Sequence, residues 1–285
     1  MIRSILAPTK TSLTLSVLMS AVLLAAAVPG LRADTTPQNE PALPSENSAA
    51  VPDYAREKRL DNEIRDAIFD GEVVDLYDGT EDFMAIQTDA DDAKGAAIIL
   101  HGRGFHPDWA DTINPLRVGL AEQGWTTLSV QLPVLEKQAK YYDYVPLFPN
   151  ANLRITAALE HLKEQDISTV VLIAHSCGGH MAMDWVRKHG ETGIDAFVGL
   201  GLGATDYRQF MAEPFPLDKL TVPVFDVYGE NEYPAVIKMA PERLKLMQAG
   251  GNAKSEQAVL PGADHYFKEK GDELTELVSA WLEKL

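Results

Sequence analysis

"VVLIAHSCGGHMAMDW", residues 170–185, decides how the rest of the sequence reads. Its first half is an unbroken apolar run, as a strand buried on both faces requires, and its second half has a helical mix of apolar and polar positions. Between them Ala174-His175-Ser176-Cys177-Gly178-Gly179 must turn the chain from strand to helix, with a hydroxyl beside a thiol. A nucleophile on so sharp a turn sits in a strained backbone conformation, and the residues two before and two after it must be small. Ser176 has Ala174 and Gly178 at those positions. Cys177 would have His175 and Gly179, and an imidazole does not fit. The register therefore selects Ser176 and leaves Cys177 a backbone N–H aimed where an oxyanion would form. The plainer alternative is a Gly-rich turn with an incidental serine.

The same rhythm extends outward. "GAAIILHG" (95–102), "WTTLSVQLP" (125–133), "IDAFVGLGLG" (194–203), "VPVFDVYG" (222–229) and "KSEQAVLPG" (254–262) read as strands, and residues 72–88 as two short strands around Asp78-Gly79-Thr80. Helices are marked by Ile113, Leu116 and Leu120; by Ile155, Leu159 and Leu162; by the stretch from Gly178; and by Leu274, Leu277, Val278, Trp281 and Leu282. Residues 54–69 are charged and mildly helical. Apolar strands alternating with amphipathic helices predict a mostly parallel central sheet with helices on both faces, in one domain over residues 53–285. In such sheets ligands bind beyond the carboxyl ends of the strands.

Two further signals fall at those ends. A serine needs a base, and His265, in "LPGADHYF", follows the last strand. Otherwise it is a surface loop histidine. "HGRGF", residues 101–105, closes the first buried strand in a tight turn, where a backbone N–H of Arg103 or Gly104 would complete an oxyanion hole with that of Cys177. "KYYDYVPLFP", residues 140–149, reads as an aromatic loop that either lines a pocket or packs on the surface. "GLGLGATD" has the glycine spacing of a nucleotide-binding loop, but no helical pattern follows it and Pro214 and Pro216 interrupt. The seven histidines include no H-E-x-x-H, and His175 and His180 are wrongly spaced for one helical face, so neither metal nor cofactor is expected.

From about Gly95 to Leu285 the chain resembles the α/β-hydrolase superfamily: an HG-x-G turn, an A-x-S-x-G elbow with Ala174 for the usual glycine, and a final histidine. Within it, "ILHGRGFHPDW", "GWTTLSVQLP" and "YGENEYPAV" are similar to a family of secreted bacterial proteins of unassigned function. The resemblance implies an acid after a later strand, in the order Ser…acid…His. Glu232, three residues past Gly229, takes that place, although Asp is usual there. Asp226, Glu230 and Asp206 are the other candidates. Asp226 lies about 10 Å below the expected strand end, which suits a buried hydrogen bond better. Fewer than twenty or so residues separate "GLGLG" from "VPVFD", too few for a large cap domain. The implied activity is a serine hydrolase acting on small-molecule esters. The alternative is a catalytically silent relative that binds a ligand or an envelope partner.

Composition bounds the setting. Residues 1–33 carry Arg3, Lys10 and Arg32, an apolar stretch from Leu13 to Val28, and Ala33 before the polar Asp34. They read as a secretory signal peptide, or else an uncleaved anchor, and imply a periplasmic or secreted protein without stable membrane insertion once it is cleaved. Residues 34–52, rich in Pro, Ser and Asn, read as a disordered tether. Removing three basic residues takes the net charge from -17 to -20, which repels nucleic acid and anionic lipid. With one cysteine no intramolecular disulfide can form, so an ordinary core must hold the fold.

Overall fold

In the computed structural model, residues 50–285 are described. The expected signal peptide and most of the expected tether lie outside the described residues. β1 (Glu72–Tyr77) and β2 (Asp82–Thr88) form a hairpin whose turn is closed by Asp78 Oδ1, which accepts the N–H groups of Thr80 and Glu81 at 2.9 Å each. The continuous apolar runs become β3 (Ala96–Leu100), β4 (Thr126–Val130), β5 (Val170–His175) and β6 (Ala196–Leu200), buried at every position. β7 (Val224–Asn231) and β8 (Glu256–Asp264) complete a sheet of eight strands in the order β1-β2-β4-β3-β5-β6-β7-β8. β2 is antiparallel to both its neighbours, and all other pairs are parallel.

Helices cover both faces, as the strand pattern demands. α2 (Ile113–Glu122) and α7 (Gly271–Leu282) bury Leu116, Leu120, Leu274 and Val278 against one side of the sheet. They approach so closely that a Cβ on Gly119 would lie 2.6 Å from Thr275 Cγ2. α4 (Phe148–Glu164) and α5 (Cys177–His189) bury Ile155, Leu162, Met181 and Trp185 against the other side. α1 (Tyr54–Ile64) precedes the sheet, α3 (Tyr141–Tyr144) is one turn before α4, and α6 (Pro234–Gly250) joins β7 to β8. Between β6 and β7 there is one short 3-10 turn, Leu217–Lys219, and no cap domain among the described residues.

Three stretches correct the sequence pattern. Helix α6 has no counterpart in it, because its buried stripe of Val236, Ala240, Arg243 and Met247 contains an arginine and Pro241 interrupts it. Its punctuation is nonetheless legible, with Pro234 at the first turn and Gly251 in the left-handed conformation (φ 82°) at the end. The aromatic stretch 140–149 is not a loop but α3, a 3-10 turn and the start of α4, with Tyr141 and Tyr144 buried. Finally, β7 does not stop at Gly229 but runs on to Asn231 through a bulge. Gly229 marks a close approach instead, since a Cβ there would meet Ala263 O at 2.3 Å. Asp226 is therefore deeper still.

Candidate active site

Ser176 stands between β5 and α5 with φ 53° and ψ −116°, a conformation that costs a non-glycine residue about 1–3 kcal/mol. Its N–H donates to Leu200 O and its carbonyl accepts from Gly179 N, at 2.9 Å each, which locks the turn between sheet and helix. The small-residue requirement is visible at Gly178, where a Cβ would come within 2.5 Å of His101 O.

His265 sits in the loop after β8 and is buried. Its Nε2 lies 2.8 Å from Ser176 Oγ and its Nδ1 2.7 Å from Glu232 Oε1. A carboxylate only accepts, so Nδ1 carries the proton and Nε2 accepts from the serine hydroxyl. Glu232 follows β7 directly and also accepts the Tyr233 N–H at 2.7 Å. The Tyr233 ring lies against the imidazole, 4.5 Å between centroids, and His175 Nε2 holds the loop by donating to the backbone His265 O at 2.9 Å. Burial pushes His175 down to about 3, so it stays a neutral donor. One contributor escapes the motif reading. Gly201, at φ 60°, leaves room for the pair, because a Cβ there would lie 3.0 Å from both Glu232 Oε2 and His265 Nδ1. "GLGLG" thus holds space for side chains rather than for a phosphate.

The other acid candidates are sorted by their partners. Asp226 Oδ2 accepts from Arg243 Nε at 2.8 Å and Gln257 Nε2 at 2.7 Å inside the core, and burial raises its carboxyl pKa against the pull of Arg243. Glu230 Oε2 accepts the Gly262 N–H and fixes the bulge of β8. Asp206 accepts both Arg103 Nη1 and Nη2, at 2.8 and 3.2 Å, and the Tyr141 N–H at 2.6 Å. Burial opposes the Asp206 charge, but these bonds hold its carboxyl below the usual range.

The turn after β3 closes with Phe105 N donating to Gly102 O at 3.3 Å and Gly104 at φ 73°. Among the described residues, neither the Arg103 N–H nor the Cys177 N–H has a protein acceptor. His101 braces this turn, accepting the Leu132 N–H at Nε2 and donating from Nδ1 to Gly102 O, and burial holds it neutral at about 3. Burial also pushes the Cys177 thiol up to about 12, so it remains a thiol. Ser176 and His265 open onto a cleft of about 570 Å³. Phe105 and Trp109, stacked at 3.8 Å, and Tyr266, edge-on to Phe105, form an aromatic wall; Tyr141 and Tyr144 also line it.

The model of the family described as "Alpha/beta hydrolase family" matches residues 97–268, from β3 through His265. The chain belongs to the alpha/beta hydrolase family. A second match, to "Protein of unknown function (DUF3530)", covers residues 10–145 and so reaches upstream of the hydrolase match to include α1, β1 and β2. No curated protein matches the chain. Solved hydrolases share the fold. Est1E from Butyrivibrio proteoclasticus is 17% identical over 75% of this chain and 98% of its own, with a TM-score of 0.57. An esterase from Pyrococcus furiosus is 14% identical over 78% and 93%, with a TM-score of 0.59. An α/β serine hydrolase without lid from Xanthomonas campestris is 12% identical over 76% and 95%, with a TM-score of 0.54.

Proposed function

We propose that this α/β hydrolase is a serine hydrolase of carboxylic esters. The observation that carries the reading is the line Ser176 Oγ, His265, Glu232, joined at 2.8 and 2.7 Å and presented at the mouth of an aromatic cleft. In the reaction, His265 Nε2 takes the Ser176 proton as Oγ attacks the ester carbonyl. The backbone N–H groups of Arg103 and Cys177 hold the oxyanion, while Glu232 keeps the Nδ1–H tautomer and offsets the imidazolium charge. Collapse expels the alcohol, which receives its proton from His265. Water then attacks the acyl-serine by the same route, releasing the acid and restoring Ser176. A neutral, high-pKa thiol beside the serine takes no part beyond its backbone.

The basic start and apolar run of residues 1–33 support export, with cleavage after Ala33 and residues 34–52 serving as a tether for the catalytic domain, 53–285. The enzyme then works in the periplasm or outside the cell, on small-molecule esters. Turnover of short p-nitrophenyl esters by the purified exported chain tests the chemistry. Ser176→Ala should lower kcat on the order of 10⁴–10⁶-fold with an unchanged circular dichroism spectrum. Turnover at the wild-type rate in that variant would overturn the reading.

A further inference from the structure

The substrate cleft has a wall that the hydrolase fold itself does not supply. α1 lines it with Arg56 and Leu60, opposite the strand ends that carry the triad. The Arg56 guanidinium reaches over the oxyanion turn, donating from Nη2 to Gly104 O at 3.1 Å and from Nη1 to Leu135 O at 2.9 Å. Both acceptors are neutral carbonyls. Arg65, Arg103, Arg117, Arg154 and Arg243, which are likewise partly or fully shielded from solvent, each pair with a carboxylate at 2.8 Å or closer. The Arg56 guanidinium alone of this group has no carboxylate within 4 Å among the described residues; the nearby Asp53 carboxylate accepts the Arg56 backbone N–H instead, at 2.9 Å.

The other charges around the cleft cancel. Arg103 is neutralised by its bidentate bond to Asp206, Lys140 Nζ lies 3.9 Å from the same carboxylate, and exposed Lys137 and Lys140 are matched in number by exposed Glu63 and Glu136 on the cleft lining. What remains is one half-buried positive charge on the cleft wall, in a chain whose overall charge is -17. A partly desolvated cation without a counter-ion is costly, and a guanidinium bonded through only two of its five N–H groups keeps donors for a further acceptor. An anion is the complement that satisfies both conditions, and a bidentate carboxylate or phosphate suits the planar fork best.

We propose that Arg56 is a specificity-determining residue and that the preferred substrate is an ester carrying an anionic group, held by Arg56 while the ester carbonyl lies over Ser176. The inference rests on the ester hydrolase reading above. The anion sits either on the acyl portion or on the leaving alcohol. Carboxylate and phosphate satisfy the same donors, and carboxylate esters suffice as probes.

Two matched pairs of esters test it in the purified chain. Mono-p-nitrophenyl adipate against p-nitrophenyl hexanoate places the charge on the acyl side, and 4-acetoxybenzoate against methyl 4-acetoxybenzoate places it on the leaving group. The readout is the ratio of kcat/KM for the anionic to the neutral member. In one pair that ratio should fall on the order of 10-fold from wild type to Arg56→Gln, and be partly restored in Arg56→Lys, since a charge-assisted hydrogen bond is lost and then half replaced. In the wild type, about 0.5 M NaCl should shrink the same ratio by screening, a measurement that stands even where a variant fails to fold. Ratios that are equal in all three proteins and insensitive to salt, with the neutral esters turned over normally, would overturn the inference. No turnover of any of the four esters by the wild type would overturn the hydrolase reading, and this inference with it.

Discussion

The two sides of the cleft are held in place by different physics. On one side Ser176, Glu232 and His265 stand just past the ends of β5, β7 and β8, so their positions are set by neighbouring parallel strands, with β5 buried throughout and β8 at the sheet edge. On the other side α1 pairs with no strand. It is held by Glu57, whose Oε1 accepts the Val134 N–H and whose Oε2 accepts from Arg154 Nη2 at 2.8 Å. Arg154, fully buried, also donates to Asp78 Oδ2 and to Gln131 O, and stacks over Phe83. The strand-end side therefore distributes its stability over many bonds. The wall concentrates it in one buried ionic cluster, which is costly to form and worse to break.

That contrast is sharpest where a substitution harms one side and spares the other. Glu232→Gln should lower kcat on the order of 10²–10⁴-fold by disturbing the imidazole tautomer, with unchanged thermal midpoint. Asp226→Asn, on the same strand but deep in the core, should show the reverse, losing stability while keeping most of kcat because Arg243 is left without its charge partner. If these two variants exchange phenotypes, Glu232 is the wrong acid.

Arg154→Met should cost about 3–5 kcal/mol in denaturant unfolding, because it strands Glu57 and Asp78 as buried carboxylates. Near-neutral stability after that change would erase the distinction between the two sides.

Acid is a gentler probe. Burial lowers His101 and His175 to about 3 and His180 to about 4, so between these values and about 6.5 the unfolded chain binds protons that the folded chain does not. Stability is then complete above about pH 6.5 and falls as pH drops, by up to about 1.4 kcal/mol per pH unit for each histidine. Glu57 and Asp226, raised chiefly by burial, act in the opposite sense and subtract from this loss. Urea midpoints measured from pH 7 to pH 5 should fall; a flat profile would contradict neutral buried histidines. Cys177→Ala should have the smallest effect, a few-fold at most in kcat and about 1 kcal/mol in stability, since the proposed mechanism asks only for its N–H and the thiol fills core space. A loss comparable to that of Glu232→Gln would mean the thiol itself takes part.

The same division governs what the sequence reveals. Buried strands and a strained turn leave local signatures, so the sheet, the Ser176 elbow and the position of His265 can be read from apolar runs and small residues. Glu232 is legible only through its place in the hydrolase pattern, and its neighbour Asp226 is rejected on depth alone. The wall leaves no local signature. Tyr141 and Tyr144 pack inward with their hydroxyls accepting backbone N–H groups, from Ala212, distant in the chain, and from Leu135, in the preceding loop. Helix α6 hides its buried face behind Arg243, whose presence makes sense only once Asp226 is seen opposite it. Gly201 receives no role from the sequence because its neighbours in space, Glu232 and His265, lie far along the chain.

The central claim is that Ser176 is an activated nucleophile and His265 its base. Reaction with a fluorophosphonate near pH 7.5, followed by intact-mass and peptide mapping, tests it most directly. The account predicts one adduct per chain on Ser176, absent in Ser176→Ala and slowed on the order of 10³-fold or more in His265→Ala. Labelling on another residue, or labelling of Ser176 at the wild-type rate without His265, would contradict it.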